Sequence, residues 1–462
     1  MNALSARVIS SLLICSLAFT SLPVMAQTTP FDLKAALAKA QPGAVIHAPA
    51  GVYAGPLQIT KSVILEGESG AVINGTGQGD VITISAAKVT LRGFVIRNSG
   101  DSLDQENAGV TVLAPQATLE HNQIENALFG IYLKNAPKSV LRANTVLPKA
   151  LPEARRGDGI RVWYSEGSLL EDNYVKGTRD VIVWFSSNTI VRNNTVEQSR
   201  YGIHTMSSDH LLLENNILRH DSVGVYTMYG NGITLRNNLL YDNRGSSGYG
   251  VGMKDVEQAV LTGNRFVSNR VGIYLDNAPR ASAVTVQVDH NLFAYNEIGL
   301  TLQPLVTHHL FTTNIFQENG EQIALAGEGE LHDNQWSQNG AGNYWSDYAG
   351  FDADGNQIGD LPYQAHSLFE DLLEKYPELR LFQLSPATDA LDLAAKAFPI
   401  FQPHPKLTDE APLMTPPTLP VVPGLPVPSF GLNLFAATGL LALALIVLLL
   451  GLNPVQRKAL KR

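Results

Sequence analysis

An asparagine followed by apolar or β-branched positions returns along the middle of this chain with a nearly constant period. The series is Asn122-Gln-Ile, Asn144-Thr-Val, Asn173-Tyr-Val, Asn194-Thr-Val, Asn216-Ile-Leu, Asn238-Leu-Leu, Asn264-Arg-Phe, Asn291-Leu-Phe and Asn314-Ile-Phe. Successive members lie 22, 29, 21, 22, 22, 26, 27 and 23 residues apart. Most units also carry a Gly-apolar-x-apolar segment, as in Gly130-Ile-Tyr-Leu, Gly159-Ile-Arg-Val, Gly202-Ile-His-Thr, Gly224-Val-Tyr-Thr and Gly272-Ile-Tyr-Leu. Short alternating strands, repeated every 20–30 residues and closed by Gly or Asn, match one coil of a solenoid. The expected fold is therefore all-β, a right-handed parallel β-helix. A leucine-rich horseshoe would need regular Leu positions and a helical segment per repeat, and neither is present. Asn is expected at a fixed turn because it tolerates left-handed backbone geometry and can stack on its counterparts above and below.

The flanks follow from the same patterning. Residues 55–100 carry degenerate strands (Val63-Ile-Leu, Val81-Ile-Thr-Ile, Val89-Thr-Leu, Phe94-Val-Ile), and Phe31 to Ala40 reads as an amphipathic helix capping the first coil. The repeat dissolves after about Asn334. Gln364 to Leu384 then reads as helical, with Leu368, Leu372, Leu373 and Tyr376 on one side, and Thr388 to Phe398 as a second short helix. Pro399 to Pro428 contains ten prolines and is expected to be a semi-extended spacer without helix or sheet.

Two segments read as targeting signals. Residues 1–26 have Arg7, an apolar stretch from Val8 to Phe19 and a small-residue cleavage site at Val24-Met25-Ala26, the pattern of a secretory signal peptide. Gly431 to Leu452 is an uncharged apolar run of 22 residues, enough to cross about 30 Å of hydrocarbon as a helix. Arg457, Lys458, Lys461 and Arg462 follow it, which places the C-terminus in the cytoplasm. The expected organisation is a signal peptide at 1–26, a β-helix at 27–340 and an aromatic–acidic loop with helices at 341–398. A Pro-rich linker at 399–430, a transmembrane helix at 431–452 and a basic tail at 453–462 complete it. Such a chain sits in the periplasm, anchored in the inner membrane.

Composition narrows the chemistry. Charged residues are 16% of the chain and the net charge is −9, with the bases of the two termini offsetting a more acidic body. An acidic body excludes nucleic acid as a partner. The single cysteine, Cys15, lies within the signal peptide, so a soft-metal site in the mature chain must use methionine and histidine. Aligned on the Gly position, one column of the repeat reads Lys134, Trp163, Trp184, Met206, Met228, Lys254 and Asp276. The column two residues before it reads Tyr132, Arg161, Ile182, His204, Tyr226, Gly252 and Tyr274. Met206 and Met228 thus occupy equivalent places about 4.8 Å apart, and His204 points to the same face as Met206. Met253 lies one coil further on but one position out of register. Thioethers with an imidazole form a Cu(I) ligand set, so His204, Met206, Met228 and Met253 are candidate copper ligands, with packing of the coils as the plainer alternative. Neither column stacks two acids, as a polysaccharide lyase or hydrolase would require. Asp158 and Asp180 do recur at similar points in adjacent coils, either as turn caps or as a carbohydrate-active pair. His308, His309 and His332 form a looser group.

The most distinctive text is Gly342-Asn-Tyr-Trp-Ser-Asp-Tyr348 followed by Asp352-Ala-Asp-Gly-Asn356-Gln-Ile-Gly-Asp360-Leu-Pro-Tyr363. Asp352, Asp354, Asn356 and Asp360 alternate like oxygen ligands of calcium, although the Gly is one place early for an EF-hand and no bidentate Glu follows. A turn held by Asx hydrogen bonds explains the same residues.

With its Asn343, Tyr344, Trp345, Asp347 and Tyr348, this segment after asparagine-bearing coils in an exported chain resembles the NosD family, over roughly residues 30–400. The resemblance implies a copper-binding periplasmic factor for maturation of nitrous oxide reductase, one that assists copper and sulfur delivery to its copper–sulfur centre. It also implies four partners: an ABC-type permease, its cytoplasmic ATPase, a copper-chaperone lipoprotein and the nitrous oxide reductase apoprotein. The chain itself is then not an enzyme, and ATP hydrolysis belongs to a partner subunit. The alternative from the residues alone is a membrane-tethered carbohydrate-active β-helix.

Overall fold

The computed structural model describes residues 31–278, 286–304, 306–327, 331–365 and 405–420, with short pieces between 372 and 391. Within these the chain winds as a right-handed parallel β-solenoid of about 12 turns. Each turn contributes one strand to each of three parallel sheets. The first sheet has 12 strands, from Val45–Ala48 to His309–Thr312. The second has 13, from Gly51–Ala54 to Tyr344–Trp345, and the third has 12, from Leu57–Ile59 to Glu321–Leu325.

Alternation within each short strand sends one column inward. In the second sheet that column runs Ile124, Val146, Val175, Val196, Leu218 and Leu240, all buried, and then becomes aromatic. Phe266, Phe293, Phe316 and Trp345 stack with centroids 4.9, 4.7 and 4.4 Å apart. The spacing of the coils is close to the thickness of stacked rings, so a residue repeated once per coil packs against its own kind.

The asparagine series forms a buried ladder. Each side-chain amide donates to the next rung's Oδ1, as from Asn194 to Asn216 and from Asn216 to Asn238, both 3.0 Å. Each also reaches a main-chain carbonyl, as Asn216 Nδ2 does to Val191 O at 2.8 Å. The left-handed residue is not the ladder asparagine but the one before it: Ala143, Asn193, Asn237 and Thr313 have φ of 51, 56, 55 and 53°. This corrects the sequence expectation. Asn is required for an amide that both donates and accepts, while the left-handed position accepts varied residues, which leaves no sequence signal. Asn343 adds a further rung beyond Asn314.

At the N-terminal end the expected cap is present as a helix over Leu33–Lys39, opened by Asp32, whose Oδ1 accepts from Ala35 N at 3.0 Å. The C-terminal end departs from expectation. Gln364 lies in a strand, Tyr363–Ala365, that pairs antiparallel with Leu407–Asp409, and Pro377–Phe382 is a 3₁₀ turn. The Pro-rich segment is therefore not a bare spacer. Lys406 to Ala411 is free of proline and keeps every N–H needed for pairing. From there the chain packs back on the body as a strap, with Gly342 N donating to Ala411 O at 2.8 Å and Arg265 Nη2 to Pro420 O at 3.1 Å. Among the described residues no helix is long and apolar enough to cross a membrane. The signal peptide, most of the expected helix between 366 and 375 with Leu368 and Leu373, most of Thr388 to Phe398, the run 431–452 and the basic tail lie outside the described residues.

Candidate metal centre

The outer faces of the three sheets differ in chemistry. On the first sheet Glu66, Arg92, Glu120, Arg142, Glu171 and Arg192 follow one another in register, one per coil. They pair in sequence, with Arg142 Nε 2.8 Å and Arg192 Nε 2.5 Å from the two oxygens of Glu171. That face neutralises itself. The third sheet instead carries aromatic, thioether and imidazole groups.

Pairing on the third sheet joins Trp163 to Trp184, Trp184 to Met206, Met206 to Met228 and Met228 to Lys254. The parallel column joins Arg161 to Ile182, His204 and Tyr226, and then Gly252. Met206 and Met228 are half-buried neighbours on adjacent strands, and His204 stands two residues before Met206 on the same face. Met253 does not join them. It pairs with the inward Thr227 and Leu275 and is fully buried in the core. A one-residue offset in a strand reverses the face, so Met253 leaves the copper set.

His204 has unusual surroundings. It is 7% exposed and boxed by Trp184, Tyr201 and Tyr226, with ring centroids 5.1, 4.9 and 6.2 Å away, all edge-on. Its Nδ1 faces Asp180 Oδ2 at 3.5 Å, an ion-pair distance when the imidazole is protonated but long for a hydrogen bond, and its Nε2 has no hydrogen-bond partner among the described residues. A buried imidazole is normally satisfied. Here Nε2 is left without a partner on the face that carries two thioethers, and that donor set fits a soft monovalent metal.

Asp158 and Asp180 are both buried and both engaged. Asp158 accepts from Arg179 Nε at 2.9 Å, and burial pushes its carboxyl up to about 6. Asp180 accepts from Arg200 Nε at 3.0 Å and Tyr201 N at 3.3 Å. Burial alone would raise Asp180, but His204 and Arg200 outweigh it and hold its carboxyl below the ordinary value. Neither acid is free for acid–base work on a sugar. The box of aromatic rings and these half-buried arginines were not singled out from the sequence. Their signal is the Arg179-Asp180 and Arg200-Tyr201 spacing of one coil.

The other candidates have structural places. Asp352 Oδ1 accepts from Gly355 N at 2.7 Å and Asn356 N at 3.1 Å, and its Oδ2 from Gln357 N at 2.9 Å. Asp354 Oδ1 accepts from Asn356 N at 3.1 Å, Asn356 Oδ1 from Ile358 N at 2.7 Å, and Asp360 Oδ2 from Ala353 N at 2.6 Å. These oxygens serve the loop's own amides, the Asx-turn arrangement. His309 is buried against Phe311, and burial lowers its imidazole to about 4, whereas His308 bonds Thr307 Oγ1 in the preceding turn. Among the described residues, no three His, Cys, Asp or Glu side chains converge on a metal-sized site.

The signature residues close the solenoid. Asn343 is the last asparagine rung, Tyr344 pairs with Ile315, and Trp345 ends the aromatic stack against Tyr363 at 4.3 Å. Asp409, fully buried, completes the ladder by accepting from Asn343 N at 2.8 Å and Trp345 Nε1 at 3.0 Å. Asp347 lies 3.3 Å from the Tyr363 hydroxyl, and Tyr348 donates to Leu361 O.

The family model for NosD, described as a periplasmic copper-binding protein, matches residues 148–350. A Pseudomonas aeruginosa protein named probable ABC transporter binding protein NosD is 32% identical over 379 residues, covering 79% of this chain and 87% of the relative. The chain belongs to the NosD family. A NosD of the same name from Stutzerimonas stutzeri is 30% identical over 386 residues, covering 80% of this chain and 86% of its own. Among solved structures, the A-module of mannuronan C-5 epimerase AlgE4 from Azotobacter vinelandii is 14% identical with a TM-score of 0.42, covering 64% of this chain and 91% of the other. A GH87 α-1,3-glucanase from Streptomyces thermodiastaticus gives 14% and 0.47, covering 66% of each chain.

Proposed function

We propose that this NosD-family chain is a periplasmic accessory protein that carries copper on the outer face of its third sheet during maturation of nitrous oxide reductase. Copper is the cargo, and His204, Met206 and Met228 would hold it. The observation that carries this reading is the buried imidazole of His204, whose Nε2 has no hydrogen-bond partner among the described residues, on the face that carries two thioethers in a chain with no cysteine beyond Cys15. In this reading the chain works next to an ABC-type permease and its cytoplasmic ATPase, in keeping with the names of its relatives. It takes copper from a lipoprotein chaperone, passes it toward the reductase apoprotein, and catalyses no reaction itself. The apolar run 431–452, with its basic tail, supports a C-terminal anchor in the inner membrane, and residues 1–26 support export.

The test is Cu(I) titration of the purified chain against a chromogenic chelator, without oxygen. The Met206→Leu/Met228→Leu double variant conserves volume, so the fold is retained while two soft donors are lost. Cu(I) affinity is expected to fall by at least about tenfold, roughly 1.4 kcal/mol, and the copper content of nitrous oxide reductase made with this variant should fall too. Unchanged affinity removes the site.

A further inference from the structure

We propose that Trp184 is the wall of this metal centre that gives it its preference for monovalent copper. The inference rests on the His204–Met206–Met228 reading and adds what selects the ion. Trp184 is the strand neighbour of Met206, placed on the opposite side of it from Met228. Its ring also stands edge-on to His204 at 5.1 Å. It therefore touches the space that the imidazole and the first thioether share.

Three features make that space suitable for a single positive charge and poor for a double one. The first is the absence of a spare anion. Asp180, whose Oδ2 lies 3.5 Å from His204 Nδ1, is already committed to Arg200, which binds both its oxygens, and to Tyr201 N at 3.3 Å. The second is the aromatic enclosure of the imidazole, which is 7% exposed. Tyr201 and Tyr226 complete the box, and Tyr226 stacks on Tyr201 at 5.5 Å. Gly252 is what lets Tyr226 lie down, since a Cβ there would come 2.5 Å from Tyr226 Cδ2. The third is the indole itself. Among the described residues Trp184 Nε1 is buried without a hydrogen-bond partner, so the side chain is held for its ring and not for its polar edge.

The physics then favours Cu(I). The cost of stripping water from an ion grows with the square of its charge, so a monovalent ion loses about a quarter of what a divalent ion of equal size loses. Zn²⁺ and Cu²⁺ recover much of that loss from anionic ligands, and the one carboxylate beside His204 is already neutralised by Arg200. An aromatic ring adds attraction for a cation held within about 6 Å of its centre. Next along the column Lys254 pairs with Met228, and Asp276 takes up its charge at 2.8 Å.

The experiment uses the full chain with Cu(I), Zn²⁺ and Cu²⁺ as the probes. Two variants, Trp184→Leu and Trp184→Phe, are compared with Trp163→Phe, and far-UV circular dichroism confirms that each is folded. Trp184→Leu should weaken Cu(I) binding by roughly 3- to 30-fold, leave the weak binding of the divalent ions unchanged or stronger, and so reduce the selectivity ratio. Trp184→Phe should keep most of the Cu(I) affinity. The chain has four tryptophans, and Cu(I) should quench fluorescence in the parent and in Trp163→Phe but much less in Trp184→Phe. Unchanged Cu(I) affinity and selectivity in Trp184→Leu, with quenching intact in Trp184→Phe, overturns the role of Trp184 while leaving the metal centre standing. If the parent chain takes up no Cu(I), or Met206→Leu/Met228→Leu binds it as well as the parent does, the centre itself falls and this inference with it.

Discussion

Replacing Asp221 with asparagine should stabilise the solenoid, and should do so more at pH 8 than at pH 5. A second buried ladder runs beside the first, through Asn243, Asn269, Asn296 and Asn319, with Asn243 Nδ2 donating to Asn269 Oδ1 at 3.0 Å and to Leu218 O at 3.2 Å. Asp221 occupies the preceding rung. Its Oδ1 accepts from Ser199 N at 2.8 Å and its own N–H donates to Asn243 Oδ1 at 3.0 Å. Its Oδ2 stands where every later rung places an NH₂, and among the described residues it has no hydrogen-bond partner. An unsatisfied buried acceptor costs about 1–3 kcal/mol, and each amide bond regained contributes about 0.5–1.5 kcal/mol. Asp221→Asn should therefore add about 2 kcal/mol at pH 8.

The pH dependence follows from the carboxyl. Burial pushes Asp221 well above the ordinary value of 3.8, with Glu197 adding to the rise and the Ser199 N–H opposing it. The folded chain then holds this proton more tightly than the unfolded chain. Its contribution to stability is fully present below about pH 4 and is lost as the pH climbs through the folded value, by up to about 1.4 kcal/mol per unit between the two. Protonated Asp221 can donate like the missing amide, so the advantage of Asn should be small at pH 4–5 and should grow toward neutrality. Thermal melts of parent and variant across pH 4.5 to 8.5 measure this, with a rise of a few degrees expected at the upper end. A melting difference that is the same at both ends, or a variant less stable than the parent at pH 8, would refute the reasoning.

Two further outcomes are expected. Asp409→Ala removes the acceptor shared by Asn343 N, Trp345 Nε1 and Ala411 N. It should cost about 3 kcal/mol and open the Lys406–Leu407 bond to limited tryptic cleavage, so equal protease resistance would show that the strap is held by other contacts. Met253→Leu should leave Cu(I) affinity unchanged and cost less than about 1.5 kcal/mol, whereas a clear loss of Cu(I) binding would return Met253 to the ligand set.

How much of this was legible in the sequence depended on periodicity. A solenoid brings residue i next to its counterpart one coil later, so the strands, the asparagine ladder and the columns joining Met206 to Met228 could be aligned from spacing alone. The same local rule, side-chain alternation, placed His204 and Met206 on one face. It also marked Met253 as one position out of register, and the structure turns that residue from the outer face into the core.

Tertiary structure decided whatever has no period. Asp409 closes the ladder from 66 positions beyond Asn343, out of a Pro-rich stretch whose composition spoke for a spacer. The aromatic box around His204 depends on ring orientations, and on a glycine two coils away that lets Tyr226 lie flat. By itself the sequence determined a stacked β-solenoid and the columns in register, since those repeat every coil. Only the folded chain determined which donors lie bare, which acids are spent on arginines and what covers the last rung, because those contacts join residues that no repeat relates.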